Sequence, residues 1–474
     1  MNISKLLKDH YYLDSSISFF KSNFEKRLKF IKKKKFLFNE ISNFINNCID
    51  NSKSIFIFCA GNSLISKNIK SNKIFIKEIN ENYEIEYNTN IQYISEINHN
   101  EISECDTILI ADIEHQSNPT SNLLNLSKII KDDAKIIILS KNLIWMIFIK
   151  LLKSFFNFSP SKNNFLPSSY LNNLYSSCNL EIIRNEKLIA LPIYIPFITN
   201  FINRIFRLPL LNIFCLSNVT ILKKINQNSY NNKDERVSFI IPCKNEENNI
   251  KAFEKNIIES NQSNEYLFGD DKSTDKTNNE IDKLSKKLIN NKIVKYNGPG
   301  ICKSENVYKG IEHSNGNIIV IYDADLTVSF KDVEFSINIL KNTNADFINC
   351  TRMIYPQKDG AMKLFNFIGN SFFASLFSLL FRKKITDTLC GTKIFYKKDW
   401  FKIKKDISKW GMKDLWGDFD LLIGAYKNNL KITEVPVTYY ERTEEGTKMT
   451  SLISNAIRML FIVLTSYYKL RLKK

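Results

Sequence analysis

A chain of 474 residues with 44% hydrophobic and 24% charged residues has the make-up of a folded globular protein, and its length argues for two domains, each able to bury its own core. Its net charge of +18 excludes a strongly acidic binding protein and favours anionic partners such as phosphorylated ligands, an anionic membrane or nucleic acid. Nine cysteines without C-x-x-C spacing and only four histidines (His10, His99, His115 and His313) argue against a zinc cluster or a disulfide framework.

The N-terminal stretch MNISKLLKDHYYLDSS has neither a continuous apolar core of signal-peptide length nor a small-residue cleavage site, which predicts a cytoplasmic, reducing setting. Residues 1–50 mix basic with aromatic and aliphatic residues, the run Lys32 to Lys35 among them. They predict a helical lead-in with a basic face toward solvent or lipid headgroups. From Ser54 onward short apolar stretches alternate with helical patterns: SIFIFCAG, NKIFIKEIN, IQYI, DTILIAD and KIIILS. That alternation predicts a parallel sheet with crossover helices over 51–222, with ligands beyond the carboxyl ends of its strands.

The turn Cys59-Ala60-Gly61-Asn62-Ser63, the DIEH of Asp112 to His115, and the text from NPTSNLLNLSKII to FLPSSYLNNLYSSCNLEII resemble class I S-adenosylmethionine-dependent methyltransferases over about 54–222. The resemblance implies a Rossmann-like domain with a candidate S-adenosylmethionine site at Gly61, Glu78 and Asp112, Glu78 accepting from ribose hydroxyls. The chain departs from the family's glycine-rich first loop by keeping only Gly61, so a fold retained without its cofactor stands as the alternative. Asp112 and His115 suit either catalysis or a helix-capping turn. Stretches 142–159 and 188–217 are rich in Ile, Leu and Phe but are interrupted by Lys150, Lys153, Arg204 and Arg207, short of the roughly 18 uninterrupted apolar residues of a spanning helix. Burial against the neighbouring domain is expected for them, with interfacial contact the alternative. Polar residues 223–236 read as a linker.

In the second half, VSFIIP (Val237 to Pro242) is an apolar strand ended by proline, and CKNEENNI opens a helix. A further strand, Tyr266 to Phe268, runs into Gly269-Asp270-Asp271; NGPGICKSENVYKG (Asn297 to Gly310) supplies glycines and Lys303. NIIVIYDADLT (Asn317 to Thr327) reads as a buried strand ending in Asp323-Ala324-Asp325. In an extended segment residues i and i+2 point the same way, so both carboxylates could face one hard divalent cation. An acidic turn without a ligand is the alternative.

The words IPCKNEENNI, GDDKSTDKT and YDADLT, in this order and spacing, resemble family 2 glycosyltransferases with the GT-A fold. The resemblance implies a second Rossmann-like domain over 237–450. It also implies a nucleotide-sugar site from Pro242, Glu246, Asp270, Asp271, Lys303 and Asp323, and Mg2+ or Mn2+ held by Asp323 and Asp325 against the donor diphosphate. The words ITDTLCGTKIF, GDFDLL, ITEVPV and ERTEEGTKM look like the dolichyl- and polyprenyl-phosphate sugar synthases, the glucosyl-transferring type in particular. That implies a lipid-phosphate acceptor, already ionised, clamped by Arg352, Lys363 and Lys448. Asp387, Asp418 and Asp420 stand as catalytic candidates. One of them would be the general base for a hydroxyl acceptor; with a phosphate acceptor they would orient loops or bind sugar hydroxyls.

Lys363 to Phe381 reads as an apolar helix with a polar line through Asn366, Asn370 and Ser378, and 451–474 as a basic amphipathic helix. Both suit a chain lying on an anionic leaflet without crossing it, a dimer or domain interface being the alternative for the first. The sequence thus predicts an α/β protein of two Rossmann-like domains. Its expected activity is metal-dependent, inverting transfer of a sugar from a nucleotide-diphosphate donor to a polyprenyl phosphate or another envelope-associated acceptor, at the inner face of a membrane. A bifunctional methyl- and glycosyltransferase and an inactive membrane-associated scaffold are the rivals. Nucleic acid is disfavoured, because the basic residues sit beside apolar helices and do not interleave with stacking aromatics.

Overall fold

The computed structural model describes residues 11–49, 54–60, 64–79, 90–94, 99–142, 144–145, 164, 166–208, 211–225, 236–259, 264–289, 292–355, 362, 364–441 and 452–472. The chain divides into two compact units, Met1–Ile225 with Arg471–Lys474, and Asn226–Leu470. Most of segment 142–159, together with Gly61, Lys363 and Lys448, lies outside the described residues.

The first unit is built on β1 (Ser54–Cys59), β2 (Lys73–Glu78), β3 (Ile91–Tyr93), β4 (Thr107–Ile110), β5 (Lys135–Lys141), β6 (Leu180–Leu188) and β7 (Ser217–Lys224). They form one sheet in the order β3-β2-β1-β4-β5-β7-β6. The first five strands are parallel, as their alternation with helical patterns predicts, while β7 runs antiparallel to both β5 and β6 and makes the sheet mixed. A strand covered on both faces is a continuous apolar run in either direction, as in Ile136-Ile137-Ile138 of β5, so its pattern does not encode direction. Helices Asp14–Ser22, Phe24–Lys33 and Lys35–Asn46 place Phe20, Ile31, Phe38 and Ile45 in the same core as Phe56 and Ile108, so the expected lead-in belongs to this unit. Strand β7 also takes in Lys223 and Lys224 of the expected linker.

The stretch after β6 departs from the expectation of burial. Residues 193–198 are all exposed, and the helix Ile198–Ile205 turns its polar residues Thr199 and Asn203 inward instead.

The second unit holds β8 (Val237–Cys243), β9 (Glu265–Asp270), β10 (Lys292–Asn297), β11 (Ile318–Ile321), β12 (Phe347–Thr351), β13 (Lys393–Tyr396) and β14 (Ile432–Pro436), in the order β10-β9-β8-β11-β13-β12-β14. Here β13 is antiparallel to β11 and β12, and the other pairs are parallel. Successive side chains alternate between faces. Ile240, Leu267 and Ile319 join Phe377 of helix Leu364–Phe381 and Phe419 of helix Asp418–Lys427 on one side. Phe239, Phe268 and Val320 join Phe253 of helix Glu247–Glu259 and Val333 of helix Phe330–Asn342 on the other. Each such fully buried side chain contributes about 1.5–3 kcal/mol. Among the described residues no helix is long and apolar enough to cross a membrane.

Candidate active site

Because β8, β9, β10 and β11 are parallel and β12 runs the same way, their carboxyl ends share one edge of the second sheet. Ligands of open α/β sheets lie outside such an edge. At its β9 end, the Asp271 amide donates to the Cys243 carbonyl (2.8 Å) and the Asp271 Oδ1 accepts from the Gly300 amide (2.6 Å). The Gly298 amide donates to the Asp270 carbonyl (2.7 Å). A Cβ at Gly298 would stand 2.9 Å from Asp271 Cα, so only glycine lets the loop after β10 close over this acid turn. Pro242 lies within β8, and the Glu246 carboxylate accepts from Asn249 Nδ2 (2.6 Å).

The strand β11 ends at Ile321, and Asp323 to Asp325 form a turn, not an extended segment. Leu326 closes the turn with a φ of +53°. Asp325 Oδ1 accepts from the Thr327 hydroxyl (2.9 Å) and amide (3.3 Å), a local bond that fixes its direction. Lys303, the first residue of helix Lys303–His313, brings its Nζ to 2.5 Å from Asp323 Oδ1. Burial alone would lower the Lys303 ammonium, but the charges of Asp323, Asp418 and Asp325 outweigh it and raise its pKa. Asp323 thus pairs with Lys303 directly, and Asp418 and Asp325 act on the same ammonium through their charge. A Cβ at Gly391 would collide with Asp323 Oδ2 and Lys303 Nζ, which explains the glycine in the word CGT.

Asp418 opens helix Asp418–Lys427, and its Oδ1 lies 3.6 Å from the wholly buried Lys393 Nζ. Burial pushes the Asp418 carboxyl up to about 6, against the pull of Lys393 and Lys303. Asp420 faces elsewhere: its Oδ2 accepts from the Tyr308 hydroxyl (3.2 Å), and burial with the nearby Asp414 pushes it up to about 7. Asp414 itself accepts from the amides of Phe419 (2.8 Å) and Asp420 (3.0 Å) and so caps that helix.

Asp387 is occupied by its neighbours. Its Oδ2 accepts from Arg352 Nε (2.8 Å) and from the Arg352 amide (3.0 Å). Its Oδ1 accepts from Arg352 Nη2 (3.0 Å), Asn370 Nδ2 (2.8 Å) and the Leu389 amide (2.9 Å). Burial would raise this carboxyl, but Arg352 holds it well below the carboxylate range. Asn370 thus turns inward from its apolar helix, and the Arg352 guanidinium also lies over the Tyr439 ring at 5.1 Å. Of the expected residues, the edge brings together Asp323, Asp325, Lys303 and Asp418, and separately Arg352 with Asp387. Lys393 and Asp414 were not anticipated. A lysine opening the apolar strand KIFY reads as solvated, and nothing in the sequence marks it as buried. Among the described residues no three His, Cys, Asp or Glu side chains converge as a metal cage.

The corresponding edge of the first unit is filled. Tyr12 donates its hydroxyl to the Cys59 carbonyl (2.9 Å), with the Lys77 carbonyl 3.5 Å away. Tyr11 stacks on Phe58 with centroids 5.1 Å apart. Gln116 Nε2 donates to the Tyr11 hydroxyl (2.7 Å) and to Asp112 Oδ1 (3.1 Å). Asp112 is buried, and desolvation pushes its carboxyl up to about 7. Glu78 is buried too, and its Oε1 accepts from the Ile79 amide (3.0 Å). His115 Nδ1 meets Ser16 Oγ at 3.1 Å, and burial lowers the ring to about 3. Among the described residues, then, Tyr11 and Tyr12 fill the space beside Cys59 and Asp112, and nothing there supports S-adenosylmethionine. Asp112 holds the N-cap position of the short 3-10 helix Ile113–His115, where its carbonyl accepts from the His115 amide (2.7 Å) but its side chain makes no capping bond; the next helix, Pro119–Ile129, is capped by Asn118, whose Oδ1 accepts from the Ser121 amide (3.0 Å).

Carboxylates and ammonium groups gathered at the carboxyl edge of an open sheet are the chemistry of an α/β domain that handles phosphorylated ligands. Residues 238–403, within the second unit, match the family model Glycosyl transferase family 2. Curated relatives include the Low-salt glycan biosynthesis hexosyltransferase Agl6 of Haloferax volcanii, 25% identical over 28% of this chain and 32% of its own length. Two Dolichyl-phosphate beta-glucosyltransferases of Trichomonas vaginalis also match: ALG5C is 26% identical over 34% of this chain and 49% of its own, and ALG5D is 24% identical over 50% and 75%. The chain thus spans about a third and about half of the first two relatives. Solved structures that match include glucosyl-3-phosphoglycerate synthase from Mycobacterium tuberculosis in complex with Mn2+, uridine-diphosphate and phosphoglyceric acid. It shares 15% identity over 49% of this chain and 79% of that one, with a TM-score of 0.37.

Proposed function

We propose that the second unit is a metal-dependent glycosyltransferase that moves a sugar, with inversion, from a nucleotide-diphosphate donor to a polyprenyl phosphate or another envelope-associated acceptor. The homologues, hexosyltransferases by name, support an enzyme of this kind. The observation that carries the reading is the gathering of Asp323, Asp325 and Asp418 around Lys303, at the sheet edge and around the stretch that matches the family.

In this reading Pro242, Glu246, Asp270 and Asp271 line the nucleotide, with the loop after β10 closed over Asp271. Asp323 and Asp325 would hold Mg2+ or Mn2+; their hard oxygens fit such an ion, and Lys303 beside them marks a place where positive charge is favoured. When bound, the cation would neutralise charge on the departing nucleotide diphosphate. Lys303 opens a helix, so its ammonium and that helix's first amides both favour an anion here. Asp418 sets the field at the same point.

A phosphate acceptor is already nucleophilic, so no strong general base is needed. Asp387 then acts as a positioning residue. A guanidinium has five N–H donors; the side-chain pair with Asp387 uses Nε and one on Nη2, leaving others for an acceptor phosphate. Lys363 and Lys448 join this clamp on sequence grounds. The exposed apolar side chains Phe365, Ile368, Ile453 and Ile457 on helices Leu364–Phe381 and Leu452–Tyr467 support contact of this unit with a lipid surface.

For the first unit the strand order, with β1 beside the central β4 and an antiparallel strand inserted between β5 and β6, supports a methyltransferase-like fold. Tyr11 and Tyr12 argue against methyl transfer. Incubation of the purified chain with Mn2+, a panel of nucleotide sugars and polyprenyl phosphate tests the reading: one donor should release nucleotide, and Asp325→Ala should stop it. No release from any donor, or release indifferent to that change, contradicts it.

A further inference from the structure

We propose that residues 193–201 of the first unit form a lipid-surface anchor, fringed by Lys32, Lys33, Lys35 and Arg204, that dips into the headgroup layer of an anionic bilayer. The inference does not rest on the sugar-transfer reading.

The segment is built inside out. Ile193, Tyr194, Phe197 and Phe201 are 54%, 58%, 89% and 64% exposed, while the polar Thr199 and Asn203 are each 1% exposed. The buried polar pair, one helical turn apart, staples the segment to the unit. Thr199 Oγ1 donates to the Ile193 carbonyl (2.6 Å) and accepts from the Ile195 amide (2.7 Å). Asn203 Oδ1 accepts from the amides of Ala190 (2.9 Å) and Leu191 (2.8 Å). With the polar groups spent inward, the apolar side chains have only the outside left. Phe197 is held at a φ of +60° and a ψ of −44°, a positive-φ conformation costly for an aromatic residue, at the most exposed point of the turn.

The surroundings choose the partner. Lys34 Nζ donates to the Pro192 carbonyl (2.6 Å), and Phe36 meets Tyr194 with ring centroids 5.5 Å apart. These contacts set the Lys32 to Lys35 run beside the apolar turn. Lys32, Lys33 and Lys35 are exposed there, and Arg204 is exposed on the helix itself. An apolar wedge with a cationic rim matches acyl chains under anionic headgroups. A second copy of the chain would set the same cations face to face across an isologous contact, which is repulsive.

The test is co-sedimentation of the full chain with vesicles of phosphatidylcholine, alone or with about 30% phosphatidylglycerol. The native chain should bind the anionic vesicles, and Phe197→Asp with Phe201→Asp should cut the bound fraction about tenfold or more. Lys32→Glu with Lys33→Glu should abolish the preference for phosphatidylglycerol. All four side chains face solvent, so the melting temperature and nucleotide release in vesicle-free buffer should stay unchanged. Vesicle binding that survives the phenylalanine changes overturns the proposal. So does a native dimer in sedimentation velocity that those changes split while vesicles bind neither form. Absent nucleotide release with vesicle binding intact contradicts the transfer reading and leaves the anchor standing.

Discussion

In the first unit the carboxyl ends of β1, β2 and β4 are closed by Tyr11 and Tyr12, with Asp112 buried beneath them. In the second, Asp271 follows β9, Asp323 and Asp325 follow β11, and Asp323 pairs with Lys303, whose ammonium also feels Asp325 and Asp418. Both edges pose the same physical problem: backbone groups at strand ends and the residues that follow them need partners. The first unit answers it internally, with a tyrosine hydroxyl on the Cys59 carbonyl. The second gathers carboxylates near Lys303 and Lys393, an excess of negative charge that a divalent cation would relieve.

The largest effect that would sharpen this contrast is catalytic. Asp323→Ala and Asp325→Ala should each lower nucleotide release about a hundred- to a thousandfold with the circular dichroism spectrum unchanged; a variant of near-native rate would break it. Next comes stability. Asp387→Ala strands the Arg352 guanidinium without its partner and should cost about 3–5 kcal/mol in urea unfolding, a loss that Arg352→Met in the same chain should largely restore. The Asp387 carboxyl is held below its ordinary 3.8, so its contribution is present above that value and is lost only as pH falls through the depressed folded pKa.

The first unit should respond to pH in the opposite sense. Asp112 is pushed up to about 7 from 3.8, so its stability contribution is fully present below the lower value and is lost as pH rises through the higher one. Asp112→Asn should remove that dependence and stabilise the first unit by about 2–4 kcal/mol near pH 8, read from urea unfolding at several pH values. The smallest effect belongs to Tyr12→Phe, which deletes one buried hydrogen bond and should cost about 1–2 kcal/mol in the same assay.

Much of this was legible in the sequence, for reasons that also set the limits. Apolar runs such as SIFIF and VSFII located the strands, because both faces of each are covered. The same feature hid the antiparallel course of β7 and β13. Asp323 and Asp325 were expected after a buried strand, and they follow one, although a turn, not an extended segment, presents them. Asp387 and Arg352 were picked out by motif, but their mutual pairing depends on Asn370 and Leu389 converging from elsewhere in the fold. Lys393 and the two tyrosines were invisible, since their roles come from burial that no local pattern encodes. The exposed turn at Phe197 looked like core for the same reason: hydrophobicity states what a residue avoids, not which partner relieves it.

The contrast between the two edges is tested most directly by calorimetry on the one full-length chain, titrated with uridine-diphosphate and Mn2+ and, separately, with S-adenosylmethionine. The account predicts nucleotide binding that Asp325→Ala weakens at least tenfold, and no heat from S-adenosylmethionine. Micromolar binding of S-adenosylmethionine, or nucleotide affinity indifferent to Asp325, would contradict it.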